Sequence, residues 1–372
     1  MKLDNIRNIY LIGDTHFGVR NNSIEWAAIQ KEFLLEYFIH KIDKDFDENR
    51  DIIVFEGDVF HYREAINVRI HNEALDIFTD LAKKFKRGVF IITGNHDTYY
   101  KDNSTVHSLR AIGNLASNIH VFENPEILTI NGKHSFLMLP WLEDLAKLNS
   151  VIADHQAFCS YIICHADIKG FKLNKWVKLE KGLEPESMKS YKRVYSGHIH
   201  IRQENGNVLY TGTPYQMDRG DIGNTKGFYT LNVEGEEIVE TFTRNTKSPL
   251  FLKVDLLDLL EMSKPAIVEL FNNNFVDVMA SINFVNKFSV PLFLEEINTS
   301  KHRTIQFFTY SEKEKLNPQA ADPEFNIEDG FNITDIFKRY LKTKDYSRDF
   351  KKQLATKFVE IHETVKQEKS YV

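Results

Sequence analysis

Fourteen histidines occur in this chain, and six fall at or just after short apolar runs: His16, His61, His96, His165, His198 and His200. Asp14, Asp58, Asn95 and Asp97 keep the same company. Imidazole and carboxylate donors together suit borderline divalent ions such as manganese, iron or zinc, and a set without thiolates argues against a structural zinc site. The motifs differ in weight. Asp14-Thr15-His16 reads equally well as a capped turn, and Gly57-Asp58 alone says less. Gly94-Asn95-His96-Asp97 is more telling, because a turn uses Gly-Asn and leaves His-Asp surplus. His165, taken singly, fits a hydrogen-bonded core histidine. Gly197-His198-Ile199-His200 is the strongest piece, since side chains at i and i+2 of an extended segment point the same way, as ligands of adjacent ions would.

The elements that must position these residues are short and apolar. IYLIGDTH, DIIVFEGD, GVFIITGNHD, CSYIICHAD, RVYSGHIH and NVLYTGTP read as strands buried on both faces of a sheet. Between them, Ser23 caps a helix carrying Ala28, Leu34, Leu35, Phe38 and Ile39. Ile70, Ala74, Ile77, Phe78, Leu81 and Phe85 form a helical stripe that Gly88 stops. The alternation points to a layered α/β domain with more hairpin character after Val194, in which loops at the carboxyl ends of the strands converge on one side.

The ligand-bearing loops stop near Ser248-Pro249, so a boundary is expected there and residues 1–248 form the first domain. Residues 249–310 make a smaller mixed α+β region, with FLKVDLLDLL, a helical stretch from Pro265 to Ala280 and the strand-like RTIQFFTY. Residues 311–330 are polar with two prolines and read as a linker. Residues 331–372 carry two amphipathic helical stripes, one including Ile336, Phe337 and Tyr340, the other Leu354 and Phe358. Having little core of their own to cover, such stripes suit a partner groove or coiled coil; a self-packed helical hairpin is the alternative.

Composition bounds the class. Gly and Pro total only 17 and 9 of 372 residues, which excludes collagen-like and low-complexity chains. No run approaches 18 apolar residues and the N-terminus enters a strand directly, so a soluble cytoplasmic protein is expected. Two cysteines, Cys159 and Cys164, are too few for a disulfide framework and suit reduced thiols in a strand. The net charge of -6 hides two basic windows, Lys169 to Arg193 at a local +5 and Phe331 to Val372 at a local +4. Either can meet an anionic polymer or an acidic partner.

The order Asp-x-His, Gly-Asp, Gly-Asn-His-Asp, His and Gly-His-x-His over residues 9–230 resembles the calcineurin-like metallophosphoesterase superfamily. With Asp58-Val59-Phe60-His61, Tyr210-Thr211-Gly212-Thr213-Pro214, a following cap-like region and a helical tail, it resembles the SbcD/Mre-eleven nuclease family and similar bacteriophage recombination endonuclease subunits. One departure is Cys164 before His165, read as a strand residue and not as a ligand. The resemblance implies a four-layer α-β-β-α sandwich holding two divalent ions, both manganese, with magnesium as the alternative. One ion would take Asp14, His16, Asp58 and His200, the other Asp58, Asn95, His165 and His198, with Asp58 bridging. Two such cations, about 3.5 to 4 Å apart, clamp a phosphodiester and acidify a water. His96 would approach the scissile phosphate, Asp97 would orient His96, and His61 would be a second active-site histidine, or else a surface residue opening the next helix.

The same resemblance implies a DNA exonuclease and endonuclease, tied to an SMC-like coiled-coil ATPase through the tail. It also implies a homodimer formed through catalytic-domain helices, for which Ile70 to Phe85 and Ser104 to Ile112 are candidates, and it admits a virus-encoded chain acting in a host cytoplasm. DNA contacts are expected at Lys172, Lys175, Lys178 and Tyr99, although a solvated Lys-rich loop would look the same. A phosphatase or phosphodiesterase of small substrates is the rival enzyme, and a DNA-end scaffold with a relic site the non-enzymatic one. The chain has no Gly-x-x-x-x-Gly-Lys-Ser/Thr loop, so any ATP would act through the partner.

Overall fold

In the computed structural model, residues 1–100, 104–174, 177–281, 303–310, 341, 347 and 350–358 are described. Two large sheets dominate. The first has seven strands in the order β1 (Lys2–Leu3), β6 (Glu126–Ile130), β7 (His134–Leu139), β8 (Tyr161–His165), β9 (Arg193–Gly197), β11 (Val208–Tyr210) and β10 (Gln203–Asn205). The second has six, ordered β13 (Val239–Arg244), β12 (Gly227–Asn232), β2 (Asn8–Ile12), β3 (Asp51–Phe55), β4 (Val89–Ile92) and β5 (Ile119–Phe122). Strands β2 to β5 are mutually parallel, as are β7, β8, β9 and β11. Both faces of these parallel strands are covered, which is why they read as continuous apolar runs.

Alternation sorts each strand between two cores. Ile9, Leu11, Ile52, Val54 and Phe90 meet Phe136, Met138, Ile163 and Tyr195 of the other sheet. Tyr10, Ile12, Ile53 and Phe55 face outward onto the helices Ile24–Lys31 and Val68–Lys84 and the π-helical segment Glu32–Phe38. On the far side, Leu137, Leu139, Ile162 and Val194 pack against Leu148 and Ile152 of the helix Leu145–His155. The result is the expected α-β-β-α layering. Ser23 caps its helix by accepting from the Trp26 N–H, and Asn67 caps Val68–Lys84, whose stripe from Ile70 to Leu81 is buried.

The C-terminal part departs from the reading in one element. A helix is present only at Lys264–Phe271; Phe275–Ser281 is strand β15, not the end of the helical stretch expected to reach Ala280. The apolar, β-branched run FVDVMAS pairs in parallel with β14 (Phe251–Asp255), and β16 (Thr304–Tyr310) completes a three-stranded sheet. This sheet meets the body through aromatic stacking of Trp26 with Phe251 and Phe275, ring centroids 6.0 and 5.7 Å apart. Arg219 adds a paired contact to Asp277, with Nε at 2.5 Å from Oδ2 and a second nitrogen at 2.8 Å from Oδ1.

The chain divides into two compact units, one of Met1–Ala280 with 303–308, the other C-terminal. In the latter, residues 350–358 are helical, and Leu354 and Phe358 are half-buried. The expected linker at 311–330, Ile336, Phe337, Tyr340 and Lys175 lie outside the described residues. Among the described residues, no helix is long and apolar enough to cross a membrane.

Candidate metal centre

Every ligand candidate leaves the carboxyl end of a parallel strand: Asp14 and His16 follow β2, Asp58 follows β3, Asn95 and His96 follow β4, His165 ends β8, and His198 and His200 follow β9. The first two loops continue the sheet's pairing beyond its strands. His16 N–H donates to the Asp58 carbonyl at 2.9 Å, Phe17 N–H to Val59 at 2.7 Å, and His61 N–H to Phe17 at 2.9 Å. Gln30 donates to the carbonyls of Thr15 and His16 at 2.6 and 3.0 Å, fixing the loop from the helix behind it.

The geometry required here is strained. His16, Asp58 and His198 adopt left-handed backbone conformations, with φ of 49°, 49° and 86°. Each costs roughly 1–3 kcal/mol that the surrounding structure must offset. Gly94 is required for a different reason, since a Cβ there would collide with the Asp58 carboxylate and backbone nitrogen.

Among the described residues, three groups hold ligand atoms that all lie within 4.8 Å of one another: His16 with His61 and His96, and the two that hold the expected ligands, Asp14 with His16 and His200, and Asp58 with His165 and His198. Asp58 faces both. Its Oδ2 lies 3.7 Å from His16 Nε2 and its Oδ1 3.4 Å from His165 Nε2. Asn95 Oδ1 is 2.9 Å from both His165 Nε2 and His198 Nδ1. His16 Nε2 and His200 Nε2 face each other at 3.0 Å. Two imidazole lone pairs so close repel unless a proton or cation lies between them, so the donor set fits divalent ions.

Partners behind the rings fix which nitrogen is free. His165 Nδ1 donates to the Glu56 carbonyl at 2.8 Å and His198 Nε2 to Asp167 at 2.8 Å, leaving His165 Nε2 and His198 Nδ1 turned toward Asn95. Burial lowers the pKa of His16, and burial with the Lys226 charge lowers that of His200 to about 4, which keeps both imidazoles neutral as ligation requires. Burial raises Asp14 to about 6. Asp58 is buried too, yet the facing histidines, His165 first, together outweigh that and hold it well below the carboxylate range, while the Asp58 and Asp14 charges raise His165 to about 10 against its own burial.

Residues 7–210 match the profile of the calcineurin-like phosphoesterases. The chain belongs to that family. It is similar to exonuclease subunit 1 of Enterobacteria phage T4, at 30% identity over 277 residues covering 71% of this chain and 77% of the relative. It is also similar to the DNA double-strand break repair protein Mre11 of Nanoarchaeum equitans, at 22% identity over 392 residues covering 95% and 96%. A shorter match, 32% over 102 residues, joins it to the Mre11 of Archaeoglobus fulgidus and covers 27% of this chain and 22% of the relative.

In this phosphoesterase the remaining candidates fall at different distances from the clusters. The His96 ring centroid is 5.0 Å from that of His16 and 5.6 Å from that of His61, and His61 Nδ1 is 3.3 Å from His16 Nδ1. His96 Nδ1 donates to the His61 carbonyl at 2.6 Å, which leaves Nε2 available to a substrate oxygen. Asp97 is buried, with a carboxyl raised to about 7 by burial and the Asp58 charge. It accepts from the N–H groups of Gly94, Phe60 and Val59, so it braces the loops carrying Asn95, His96 and Asp58 and acts on His96 through the backbone.

The basic loop is less basic than its window suggests. Lys169 pairs with Glu184, Lys189 with Glu186, Lys192 with Glu237, and Arg193 with Glu204 and Glu240. Lys172 and Lys178 are exposed on opposite sides of a small antiparallel bridge, and Tyr99 is exposed as well. The helix Val68–Lys84 turns its apolar stripe into the body, and Ser104 to Ile112 is mostly loop, with helix only from Arg110.

Sequence reasoning missed Asp167, Glu56 and Lys226. Asp167 had a readable signal, because His165-Ala166-Asp167 repeats the i, i+2 spacing of His198 and His200. Glu56, raised to about 8 by burial, and Lys226, whose Nζ donates to the His200 carbonyl at 2.7 Å and pairs with Asp221, gave none.

Proposed function

We propose that this chain is the nuclease subunit of a DNA-end-processing complex and hydrolyses DNA phosphodiesters with two divalent ions, manganese in the first place. The observation that carries the reading is the double cluster, with one oxygen of Asp58 toward each half. Asp14, His16, Asp58 and His200 would hold one ion, and Asp58, Asn95, His165 and His198 the other. When bound, the pair supplies charge for the phosphate oxygens and an acidified water.

The chain's own groups do the rest. Asp58 and Asp14 balance the positive charge. His165 and His198 are held in a single tautomer by the Glu56 carbonyl and Asp167. His96, its Nδ1 proton committed to His61, offers Nε2 to the scissile phosphate or the leaving oxygen. DNA as substrate is supported by the exposed Lys172, Lys178 and Tyr99 and by relatives named as an exonuclease subunit and a double-strand break repair protein. The amphipathic pattern of 331–372 supports docking on a coiled-coil ATPase, and residues 249–310 are proposed as the cap over the DNA.

The test is cleavage of end-labelled duplex and single-stranded DNA by wild type and His96→Ala with manganese. Wild-type cutting and a drop of about 10²-fold or more in His96→Ala are expected. Equal activity of the two proteins, or hydrolysis of small diesters without any DNA shortening, would contradict the reading. Truncation after Gly330 is expected to remove ATPase binding and to spare manganese binding.

A further inference from the structure

Trp141, two residues beyond β7, meets three of the segments that bring donors to the His165–His198 half of the centre. Its N–H donates to the Thr93 carbonyl at 2.8 Å, which ties it to the strand end leading into Gly94 and Asn95. Its ring lies over that of His198, with centroids 5.0 Å and planes 35° apart, and meets the His165 ring edge-on at 6.1 Å. Trp26 shows what a purely packing tryptophan looks like in this fold: it is 2% exposed and stacks on Phe251 and Phe275. Trp141 is instead half-buried, and the rings it meets are two imidazoles proposed as ligands.

His198 needs such a wall more than His165 does. The His165 side chain has no exposure, whereas that of His198 is 16% exposed and its partner Asp167 is 32% exposed, so water competes for the bond between them. One hydrogen bond from Nε2 to Asp167 fixes the tautomer, yet it also acts as a hinge about which the ring can rock. Rocking swings Nδ1 away from Asn95 Oδ1, which it faces at 2.9 Å. A flat, rigid indole against the ring face blocks that motion, and offset contacts of this kind are a favoured aromatic geometry.

We propose that Trp141 is a positioning residue for this half of the centre, its indole holding the plane of His198 so that Nδ1 stays turned toward Asn95. The proposal rests on the two-ion reading and adds to it the group that keeps one site tight.

The experiment titrates the EDTA-stripped full chain with manganese by calorimetry and follows the histidine ring nitrogens of the metal-free chain by NMR. Wild type is expected to bind two ions. Trp141→Ala is expected to weaken one site by about tenfold or more while the other holds, and Trp141→Phe, which restores a flat face, to return it to within about threefold of wild type. Trp141→Leu keeps apolar bulk without a flat face. It is expected to show the same loss as Trp141→Ala, and it decides the case if Trp141→Ala fails to fold. In the metal-free chain the His198 ring should be a single Nε2-protonated tautomer in wild type and Trp141→Phe, and broadened by exchange in Trp141→Ala and Trp141→Leu. Unchanged affinities in those two variants would overturn the proposal. So would equal losses at both sites with a lowered thermal midpoint, which would assign Trp141 to general packing. A wild type that binds fewer than two ions would refute the two-ion reading instead. The His198 signal, which needs no metal, then decides the role of Trp141, and a sharp signal in the Ala and Leu variants would overturn it.

Discussion

The cluster around His165 and His198 is gripped ring by ring, with the Glu56 carbonyl and Asp167 behind the two imidazoles. Its neighbour around His16 and His200 is held mostly through main chain, the rear nitrogen of His16 meeting only another imidazole, His61 Nδ1 at 3.3 Å. Gln30 takes the His16 carbonyl, Lys226 takes that of His200, and the His200 side chain stays 37% exposed. The difference teaches where specificity of ligation comes from. A hydrogen bond to the rear nitrogen fixes both tautomer and ring plane, whereas a hold on the backbone fixes only where the ring starts. On the proposed ligation the His165–His198 cluster is therefore the more preorganised, and the exposed edge of His200 is where a phosphate would enter.

The largest break in this comparison comes from removing what the halves share. Asp58→Asn, measured by diester hydrolysis and manganese titration, is expected to abolish turnover and to weaken both sites. Gly94→Ala should do the same without touching a ligand, because its Cβ needs the space of the Asp58 carboxylate. Asp167→Asn separates the halves. It is expected to weaken manganese binding at one site by about 10–100-fold while the other holds, as read by calorimetry. Lys226→Met acts on the opposite half through the His200 carbonyl, and a smaller loss, within about tenfold, is expected there. Its thermal midpoint should also fall, because Asp221 would keep a buried charge with no countercharge.

The smallest effect concerns the thiols. Burial pushes Cys159 up to about 11 and Cys164 up to about 12. The thiolate is therefore scarce at pH 8 and grows only as pH approaches those values. Neither should react with iodoacetamide in the native protein at pH 8, and both should after unfolding; fast native labelling would contradict the burial of Cys159 just before β8 and of Cys164 within it.

The parallel strands were legible because burial on both faces leaves no polar interruption, and the ligands follow them directly. Strands β5, β6 and β7 were not among the runs singled out, since β5 and β6 show mixed burial and His120 and His134 interrupt their apolar character. The stretch to Ala280 failed for a different reason: its apolar spacing also satisfies a strand, and only pairing with β14 decides between them. For the site, residue types and order were readable, but the left-handed backbone at His16, Asp58 and His198 was not, since nothing in those side chains demands it. Lys226 was equally silent, because a lysine near a strand start reads as solvated until the fold buries it. The basic loop misled in the other direction, because Glu204, Glu237 and Glu240, which quench its charge, lie outside its window.

The most direct test of the shared centre is a calorimetric titration of the EDTA-stripped chain with manganese. Two ions per wild-type chain are expected, with both strong sites lost in Asp58→Asn. A single ion in wild type, or two undiminished sites in Asp58→Asn, would contradict a carboxylate that serves both halves.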